Sequence, residues 1–397
     1  MTIDSKVKLN VVDADGHYIE PADLTPYMEA RYRADAPRRV STPGGGEGWG
    51  GRNWISEGAP TFGNVVFDRE GDEAKQGLMI VSDDKPMPAQ HTADAMRYNE
   101  LSPGIMDSHG RLKVMDEEGF DASVLYPTAG LAWIPDSDFH QAVNRALNDW
   151  LAEWCSADPK RLLGATNIVA IHDVEAACAE VRRCHDQHGF KAIFLRTCLP
   201  NKNVRWWDRQ YDPFWATCEE LGVAVGFHPF PGDTMEGAAK HFDIIGPEPE
   251  LLYMRTPFNI VVDAMHALIG VITGGVCERF PGLHLAILES SGGWLVPFLE
   301  RLDSRFEYMG HTLPQLKMKP SDYFRRQWWI SFDPEEAMLR PTAEWLGADR
   351  IIWGSDYPHP DAFYPGFVDM LNKNVASLSQ TDQDGIRGLN AIEFYRL

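Results

Sequence analysis

Eight short apolar runs, most of them followed by polar side chains, constrain the fold of this chain more than any other feature. They span residues 8–15, 122–126, 163–170, 192–196, 223–228, 284–289, 328–333 and 350–356. Runs of this length, bounded by polar residues, glycine or proline, are typical of strands buried on both faces of a parallel sheet. Segments with helical periodicity, such as 142–154, 174–184, 212–221 and 258–280, separate most of them. The alternation predicts an α/β fold of eight β-then-α units.

The positions of the polar residues distinguish a closed barrel from an open sheet. Acidic, histidine and arginine side chains occur at the carboxyl ends of the predicted strands: Asp15, His17, Arg196, His228, Glu289, Asp333, Asp356 and His359. In a closed barrel these ends converge on one face, whereas an open sheet spreads them along a line. We therefore predict a single (β/α)8 TIM barrel domain over residues 1–397.

The connection after the first predicted strand is unusually long. About 100 residues separate Glu20 from the second predicted strand at 122–126, and they include the glycine-rich segment 41–51 followed by Arg52. Because this connection leaves the carboxyl end of strand one, we expect an insertion over residues 36–115 that covers the active-site face as a lid. The glycines lack the Gly-Lys-Ser/Thr ending of a phosphate-binding loop.

Charge and cysteine usage narrow the class of partner. The chain has 58 acidic and 37 Lys or Arg residues, a net charge of −21. Such a surface repels phosphate backbones and anionic lipid, so we expect neither nucleic acid nor membrane as a partner.

The six cysteines contain no Cys-x-x-Cys pair and are expected to be free thiols. With no apolar run of membrane-spanning length and no signal-type amino terminus, we expect a cytoplasmic protein.

The polar strand ends suggest a metal site. Asp13, Asp15 and His17 lie two residues apart, so a regular strand would point all three to one side. This spacing is common and also fits a helix cap. His228 and Asp356, at the ends of strands five and eight, add a second imidazole and a further carboxylate. Such a nitrogen and oxygen site suits one divalent ion, Zn2+ or Mn2+, with a position left open for water or substrate.

Motifs along most of the chain resemble the amidohydrolase superfamily, in its branch of aminocarboxymuconate-semialdehyde decarboxylase-like and aromatic-acid decarboxylase-like enzymes. In order, they are VDADGH at 12–17, MDEEGFD at 115–121, YPT at 126–128, FHP at 227–229, ERFPGL at 278–283, ESSGGW at 289–294, ERLD at 300–303 and WGSDYPH at 353–359. The resemblance implies a TIM barrel with metal ligands at Asp15, His17, His228 and Asp356.

Two positions depart from the family pattern. The first ligand position is often histidine, and here it is Asp15, as in related decarboxylases. Many members carry a proton-transferring histidine at the end of strand six, where this chain has Glu289. Glu289 could bind metal, act as acid or base, or buttress the loop around Trp294.

Other candidates concern the substrate. Arg52 and Arg196 could clamp a carboxylate, since arginine binds carboxylates in bidentate fashion, or could form local salt bridges. His359 could contact the metal ligands or substrate, or pack against the neighbouring prolines.

The resemblance favours non-oxidative decarboxylation of a small aromatic or unsaturated carboxylate, with Glu289, His228 and Asp356 as catalytic candidates. One alternative is hydrolysis of a C–C bond in a ring-cleavage product, or of an amide or ester, by a metal-activated water with Glu289 or Asp356 as base. A second is a binding barrel that has lost its metal. Large barrels have apolar helix faces, so we expect a homo-oligomer, at the level of a dimer.

Overall fold

A parallel eight-stranded sheet organises the part of the chain that the computed structural model describes. That part comprises residues 9–41, 47–50, 65–67, 74–76, 103–128, 134, 136–168, 173–199, 203–229, 238–242, 249–359, 362 and 364–397. The strands pair in chain order. They are β1 Val12–Tyr18, β2 Ala122–Pro127, β3 Leu162–Asn167, β4 Ala192–Arg196, β5 Ala224–His228, β6 Leu285–Ile287, β7 Trp328–Phe332 and β8 Ile351–Trp353.

The sheet closes on itself between β8 and β1. The amide of Asp356 donates to the carbonyl of Asp15 at 3.0 Å, and the amide of His17 donates to the carbonyl of Tyr357 at 2.9 Å. At Gly354 a Cβ atom would lie 2.5 Å from the Cβ of Asp15, so only glycine permits this close approach. We call this closure the seam. The predicted (β/α)8 barrel is confirmed.

Helices surround the barrel. They are α1 Pro103–Met106, α2 Ser108–Glu118, α3 Ser137–Cys155, α4 Val174–Arg183, α5 Asp212–Leu221, α6 Ala238–His241, α7 Pro249–Thr273, α8 Val276–Arg279, α9 Leu295–Met309, α10 Pro320–Gln327, α11 Leu339–Leu346, α12 Phe367–Val375, α13 Gln380–Asp384 and α14 Asn390–Tyr395. Their starts follow ordinary capping chemistry: Asp136 caps α3 by accepting from the amide of Phe139, and α5 and α10 carry proline in their first turn. None of the described helices has both the length and the apolar character needed to cross a bilayer.

Two apolar layers hold the barrel. Inside it, side chains such as Val12, Tyr126, Phe194 and Trp329 fill the interior. A larger cluster lies between the strands and the helices, for example under α3. Because successive strand residues alternate between these layers, the strands are apolar on both faces, as their sequences indicated.

Several predicted boundaries were wrong. Strand one was predicted over 8–15, but the amides of Asn10 and Val11 donate to the Asp121 carboxylate instead of to a strand neighbour, and β1 continues to Tyr18. Strands six and eight are three residues each, and the helix predicted over 258–280 begins at Pro249 and is interrupted after Thr273.

The predicted insertion over 36–115 lies mostly outside the described residues. Within its span, Arg38–Ser41 pairs with Glu47–Gly50 and Val65–Phe67 pairs with Ala74–Gln76, both antiparallel. α2 also begins inside it. A lid over the active-site face stays a prediction.

Candidate metal centre

Four of the predicted site residues meet at the carboxyl end of the barrel. The Nε2 atom of His17 lies 3.3 Å from Nε2 of His228, 3.3 Å from Oδ1 of Asp356 and 4.0 Å from Oδ1 of Asp15. His17, His228 and Asp15 are almost completely buried. Strands β1 and β5 and the turn after β8, which are far apart in the sequence, therefore bring their polar side chains into one cluster.

Hydrogen bonds to carbonyl groups orient both histidines. Nδ1 of His17 lies 3.0 Å from the carbonyl oxygen of Pro127, and Nδ1 of His228 lies 2.8 Å from that of Pro229. Since a carbonyl oxygen only accepts, Nδ1 carries a proton in each ring. In the neutral form of both rings, the Nε2 lone pairs face the cluster, which is the arrangement of metal-binding histidines.

The electrostatic balance of the cluster favours a cation. Burial raises the pKa of Asp15 to about 8. Burial alone would lower the pKa of His228, but the nearby Glu289 and Asp15 carboxylates outweigh it and raise that pKa to about 9. Burial, with His359 and His228 close by, holds the pKa of His17 well below its usual value. Without a metal ion, the cluster takes up protons to offset its carboxylates.

The residues present fit a divalent ion. Oδ1 of Asp15 is buried and receives no hydrogen bond from the described part of the chain, although a cation would satisfy it. Ligands about 2.0–2.2 Å from one ion lie roughly 3–4 Å from each other. The separations among Asp15, His17, His228 and Asp356 that the structure gives, 3.3 to 4.0 Å, fall in this range. Two groups that share His17 have the spacing of a possible metal site: Asp15, His17 and His228, and His17, Glu289, Asp356 and His359.

Glu289 lies beside these four residues. Its Oε2 atom is 2.8 Å from Nε2 of His228 and 3.7 Å from Nε2 of His17, and 19% of its side chain is exposed. Burial would raise its pKa, but the charge on His228 lowers it overall. Its backbone has a φ of 40°, in the left-handed region that non-glycine residues rarely adopt. Such strain is often found where a functional side chain is held in place.

His359 also contacts the cluster. Its Nδ1 lies 2.6 Å from Oδ1 of Asp356, and its ring stacks on that of His17 with centroids 3.9 Å apart. Its Nε2 lies 3.0 Å from the hydroxyl of Thr128, which itself donates to the carbonyl of Tyr18. The Thr128 oxygen must then accept, so His359 carries a proton on Nε2.

Asp13 does not join the cluster, so the prediction that it points with Asp15 and His17 was wrong. Pairing of β1 with β2 shifts register between Asp13 and Gly16, and the alternation of side chains is interrupted there. The carboxylate accepts from the hydroxyl of Ser123 at 2.7 Å, and from the hydroxyl and amide of Ser355 at 2.8 and 2.9 Å. Asp13 therefore ties β1 to β2 and to the turn after β8.

Of the two arginines predicted to bind a substrate carboxylate, the structure describes only Arg196. Arg196 ends β4, in register with His228, and is buried. Burial lowers its pKa to about 9, while the neighbouring Cys198 and Asp263 act in the opposite direction. Arg52 lies outside the described residues.

Arg111 is a buried residue near the site that the sequence interpretation missed. From α2 its Nη1 donates to the carbonyl of His17 at 2.9 Å, and its guanidinium packs over the ring of Tyr357. It therefore supports the end of β1 and the turn after β8. Arg111 precedes the buried Val114 and Met115 by three and four residues, so a charged residue on an apolar helix face was the available signal.

Curated proteins similar in sequence to this chain are decarboxylases. The 2-amino-3-carboxymuconate-6-semialdehyde decarboxylase of Dictyostelium discoideum is 26% identical over 320 residues, covering 78% of this chain and 82% of that protein. The gamma-resorcylate decarboxylase of Rhizobium sp. (strain MTP-10005) is 28% identical over 317 residues, covering 76% and 90%.

Solved structures share the fold. An amidohydrolase from Mycobacterium avium subsp. paratuberculosis superposes with a TM-score of 0.75 over 98% of both chains, at 21% identity. The 5-carboxyvanillate decarboxylase of Sphingomonas paucimobilis is 26% identical, with a TM-score of 0.60 over 72% of this chain and 82% of that one. A dihydroxybenzoic acid decarboxylase from Polaromonas sp., solved with bound manganese, is 24% identical, with a TM-score of 0.59 over 76% and 88%.

A family model adds the decisive match, because it covers most of the chain. The model described as amidohydrolase matches residues 96–397, a span that contains β2 to β8 and the His228, Glu289 and Asp356 positions. The chain belongs to the amidohydrolase family.

Proposed function

We propose that this protein is a metal-dependent decarboxylase of a small aromatic or unsaturated carboxylate. The observation that carries the proposal is the buried cluster of two oriented imidazoles and several carboxylates at the carboxyl face of the barrel. Active sites of this fold lie at that face. Curated relatives that match three quarters of the chain are decarboxylases of such acids, which favours this reaction over hydrolysis.

Asp15, His17, His228 and Asp356 are the residues that we assign to one divalent ion. Their nitrogen and oxygen donors suit Mn2+ or Zn2+, and manganese is the first ion to test because a fold neighbour was solved with it. When bound, the ion would act as a Lewis acid that binds a substrate oxygen and stabilises the negative charge on that oxygen.

Glu289 is the residue that we assign to proton transfer. Decarboxylation breaks the bond between the carboxylate and its carbon, CO2 leaves, and the electron pair stays on that carbon, which then needs one proton. The Glu289 carboxylate is ionised at rest, lies at the cluster and is partly exposed, so it would take up a proton from solvent before the C–C bond breaks and then pass that proton to the carbon. If His228 is not a metal ligand, it is the alternative donor, because it lies 2.8 Å from the same carboxylate.

Substrate binding would fall to arginine. Arg196 is buried at the end of β4, where an arginine can bind a carboxylate strongly because water does not compete. Arg52, His359 and the 36–115 segment complete the proposed substrate site. Arg196→Met should raise KM for the acid at least about tenfold, and Arg196→Lys should raise it less.

The reaction itself is tested with protein loaded with Mn2+ or Zn2+ and a panel of hydroxybenzoates, 5-carboxyvanillate among them, in D2O. We expect CO2 release and one deuterium on the carbon that lost it. Asp356→Asn should abolish release, while Asp349→Asn, the same substitution at an exposed position, should not. Turnover without CO2, with oxygen-18 incorporated from water, would instead establish a hydrolase.

Assembly and location are also proposals. We propose a homodimer that acts in the cytoplasm on a free small molecule. Light scattering after size-exclusion chromatography measures the assembly: a mass near twice that of one chain is expected, and a single-chain mass at micromolar concentration would exclude the dimer.

A further inference from the structure

The loop between β6 and α9 carries Glu289 on a strained backbone. Glu289 and Ser291 have φ values of 40° and 51°. Both lie in the left-handed region, which is unfavourable for non-glycine residues and persists only where surrounding structure holds it. The question is which groups hold this loop.

One side of the loop is attached to the metal cluster. The Oε2 atom of Glu289 lies 2.8 Å from Nε2 of His228 and 3.7 Å from Nε2 of His17. These contacts involve Glu289 itself. They cannot also fix the path of the chain three residues later, where the loop turns into α9.

The other side of the loop is held by Glu336, in the turn after β7. Its two carboxylate oxygens accept from the amide of Gly292 at 3.0 and 3.2 Å, and Oε1 also accepts from the amide of Asp333 at 3.0 Å. The backbone carbonyl of Glu336 accepts from the Asn374 side chain of α12, so the backbone that carries this carboxylate is itself attached to α12.

The loop packs tightly against β7 at Gly292. A Cβ atom at Gly292 would lie 2.0 Å from the buried ring of Phe332, so the backbone lies directly against that ring. The Glu336 carboxylate also accepts from the amide of Gly292. β7 and the turn after it thus determine where the loop after β6 runs.

We propose that Glu336 is a positioning residue for the reaction: it holds the loop so that the Glu289 carboxylate stays at the metal cluster. The inference rests on the proposed function in that it takes Glu289 as the proton-transfer residue. Glu336 does not touch the reacting atoms. It acts through the backbone of residues 289–292.

The central experiment is a double-mutant cycle of Glu336→Gln and Glu289→Gln, with kcat and KM measured on Mn2+-loaded protein. Glutamine replaces one acceptor oxygen with a donor that opposes the amides of Gly292 and Asp333. Supporting residues of this kind typically contribute about 10–100-fold in activity. We expect kcat to fall by about that factor in the single variant, with KM changed less than about threefold and bound manganese unchanged.

Non-additivity separates positioning from general damage. If Glu336 acts through Glu289, Glu336→Gln should cause no further loss of kcat in the Glu289→Gln background. Equal losses in both backgrounds would overturn the proposal. Glu336→Asp, which keeps the carboxylate, should recover part of kcat, and Glu344→Gln, at an exposed position of α11, should match the wild type.

A readout independent of turnover keeps this inference distinct from the proposed reaction. Hydrogen–deuterium exchange of the peptide spanning residues 288–294 should be at least about tenfold faster in folded Glu336→Gln than in the wild type. Unchanged exchange would overturn the clamp even in an active enzyme. Faster exchange in a protein whose wild type releases no CO2 would instead retain the clamp and reject the decarboxylase.

Discussion

Metal binding by the metal-free protein should release protons, in a number that depends on pH. Asp15 and His228 have pKa values raised to about 8 and about 9, and each must lose its proton to become a ligand. His17 is different, because burial lowers its pKa and it is already neutral. Glu289, whose pKa is lowered, is already ionised. Two groups therefore supply the protons.

The two pKa values determine the size of the effect. At pH 6.5 both groups are almost fully protonated, so about two protons leave for each ion bound, and the association constant rises about 100-fold per pH unit. At pH 9.5 Asp15 is ionised and about a quarter of His228 retains its second proton, so about 0.3 protons leave.

Isothermal titration calorimetry with Mn2+ in the absence of oxygen measures this number directly, whereas aqueous Zn2+ would itself lose protons near pH 9. Titrations at pH 6.5 and 9.5 use pairs of non-chelating buffers that differ in ionisation enthalpy, and the dependence of the observed heat on that enthalpy gives the protons released. Asp15→Asn should release about one proton fewer at pH 6.5. A count below about 0.5 at pH 6.5, or one that is the same at both pH values, would refute the assignment of these residues.

The same shifts predict how the metal-free protein responds to pH. Both pKa values lie above those of the unfolded chain, 3.8 for Asp15 and 6.5 for His228. The folded state therefore binds more protons than the unfolded state, and the free energy of unfolding falls as pH rises. The decline spans about pH 4 to 8 for Asp15 and about pH 6.5 to 9 for His228. Urea unfolding of chelator-treated protein should show it, and saturating metal should reduce it.

Three further substitutions test the supports of the site. Ser123→Ala removes one donor to the Asp13 carboxylate and should lower the free energy of unfolding by about 1.5–3 kcal/mol, measured by urea unfolding; no loss would argue against an ionised Asp13. Gly354→Ala should cost about 1–3 kcal/mol, because the new methyl would overlap Asp15, and should weaken Mn2+ binding at least about tenfold by calorimetry. Arg111→Met leaves two backbone carbonyls without their buried donor and should lower stability by about 2–4 kcal/mol in the same urea assay, whereas a surface residue would change it by less than about 0.5 kcal/mol.

The barrel and most of the cluster could be predicted because both follow from patterns that are visible along the amino-acid sequence. Short apolar runs alternate with helical segments, and parallel strands must end on the same face, so His17, His228 and Asp356 had to converge once the barrel closed. Chain order and strand ends were sufficient for this inference. No distance was needed.

Other features depend on contacts that the sequence pattern does not contain. Asp13 left the predicted face because β1 shifts register, and its partners Ser123 and Ser355 lie 110 and 342 residues away. Glu336 joins two loops by accepting from the backbone amide of Gly292. Every residue except proline has such an amide, so the sequence does not indicate which one Glu336 contacts. The predicted lid depends on residues beyond the described part of the chain and stays a prediction.

The seam and the proposed metal site share residues. The hydrogen bonds that join β1 to the turn after β8 connect the backbones of Asp15, His17 and Asp356, which are three of the four proposed ligands. A change that opens the seam must therefore separate the ligands, and an ion that holds the ligands must resist opening of the seam. Metal affinity and the free energy of unfolding should consequently fall together in seam variants such as Gly354→Ala, while variants of the outer helices should lower stability and leave metal affinity unchanged.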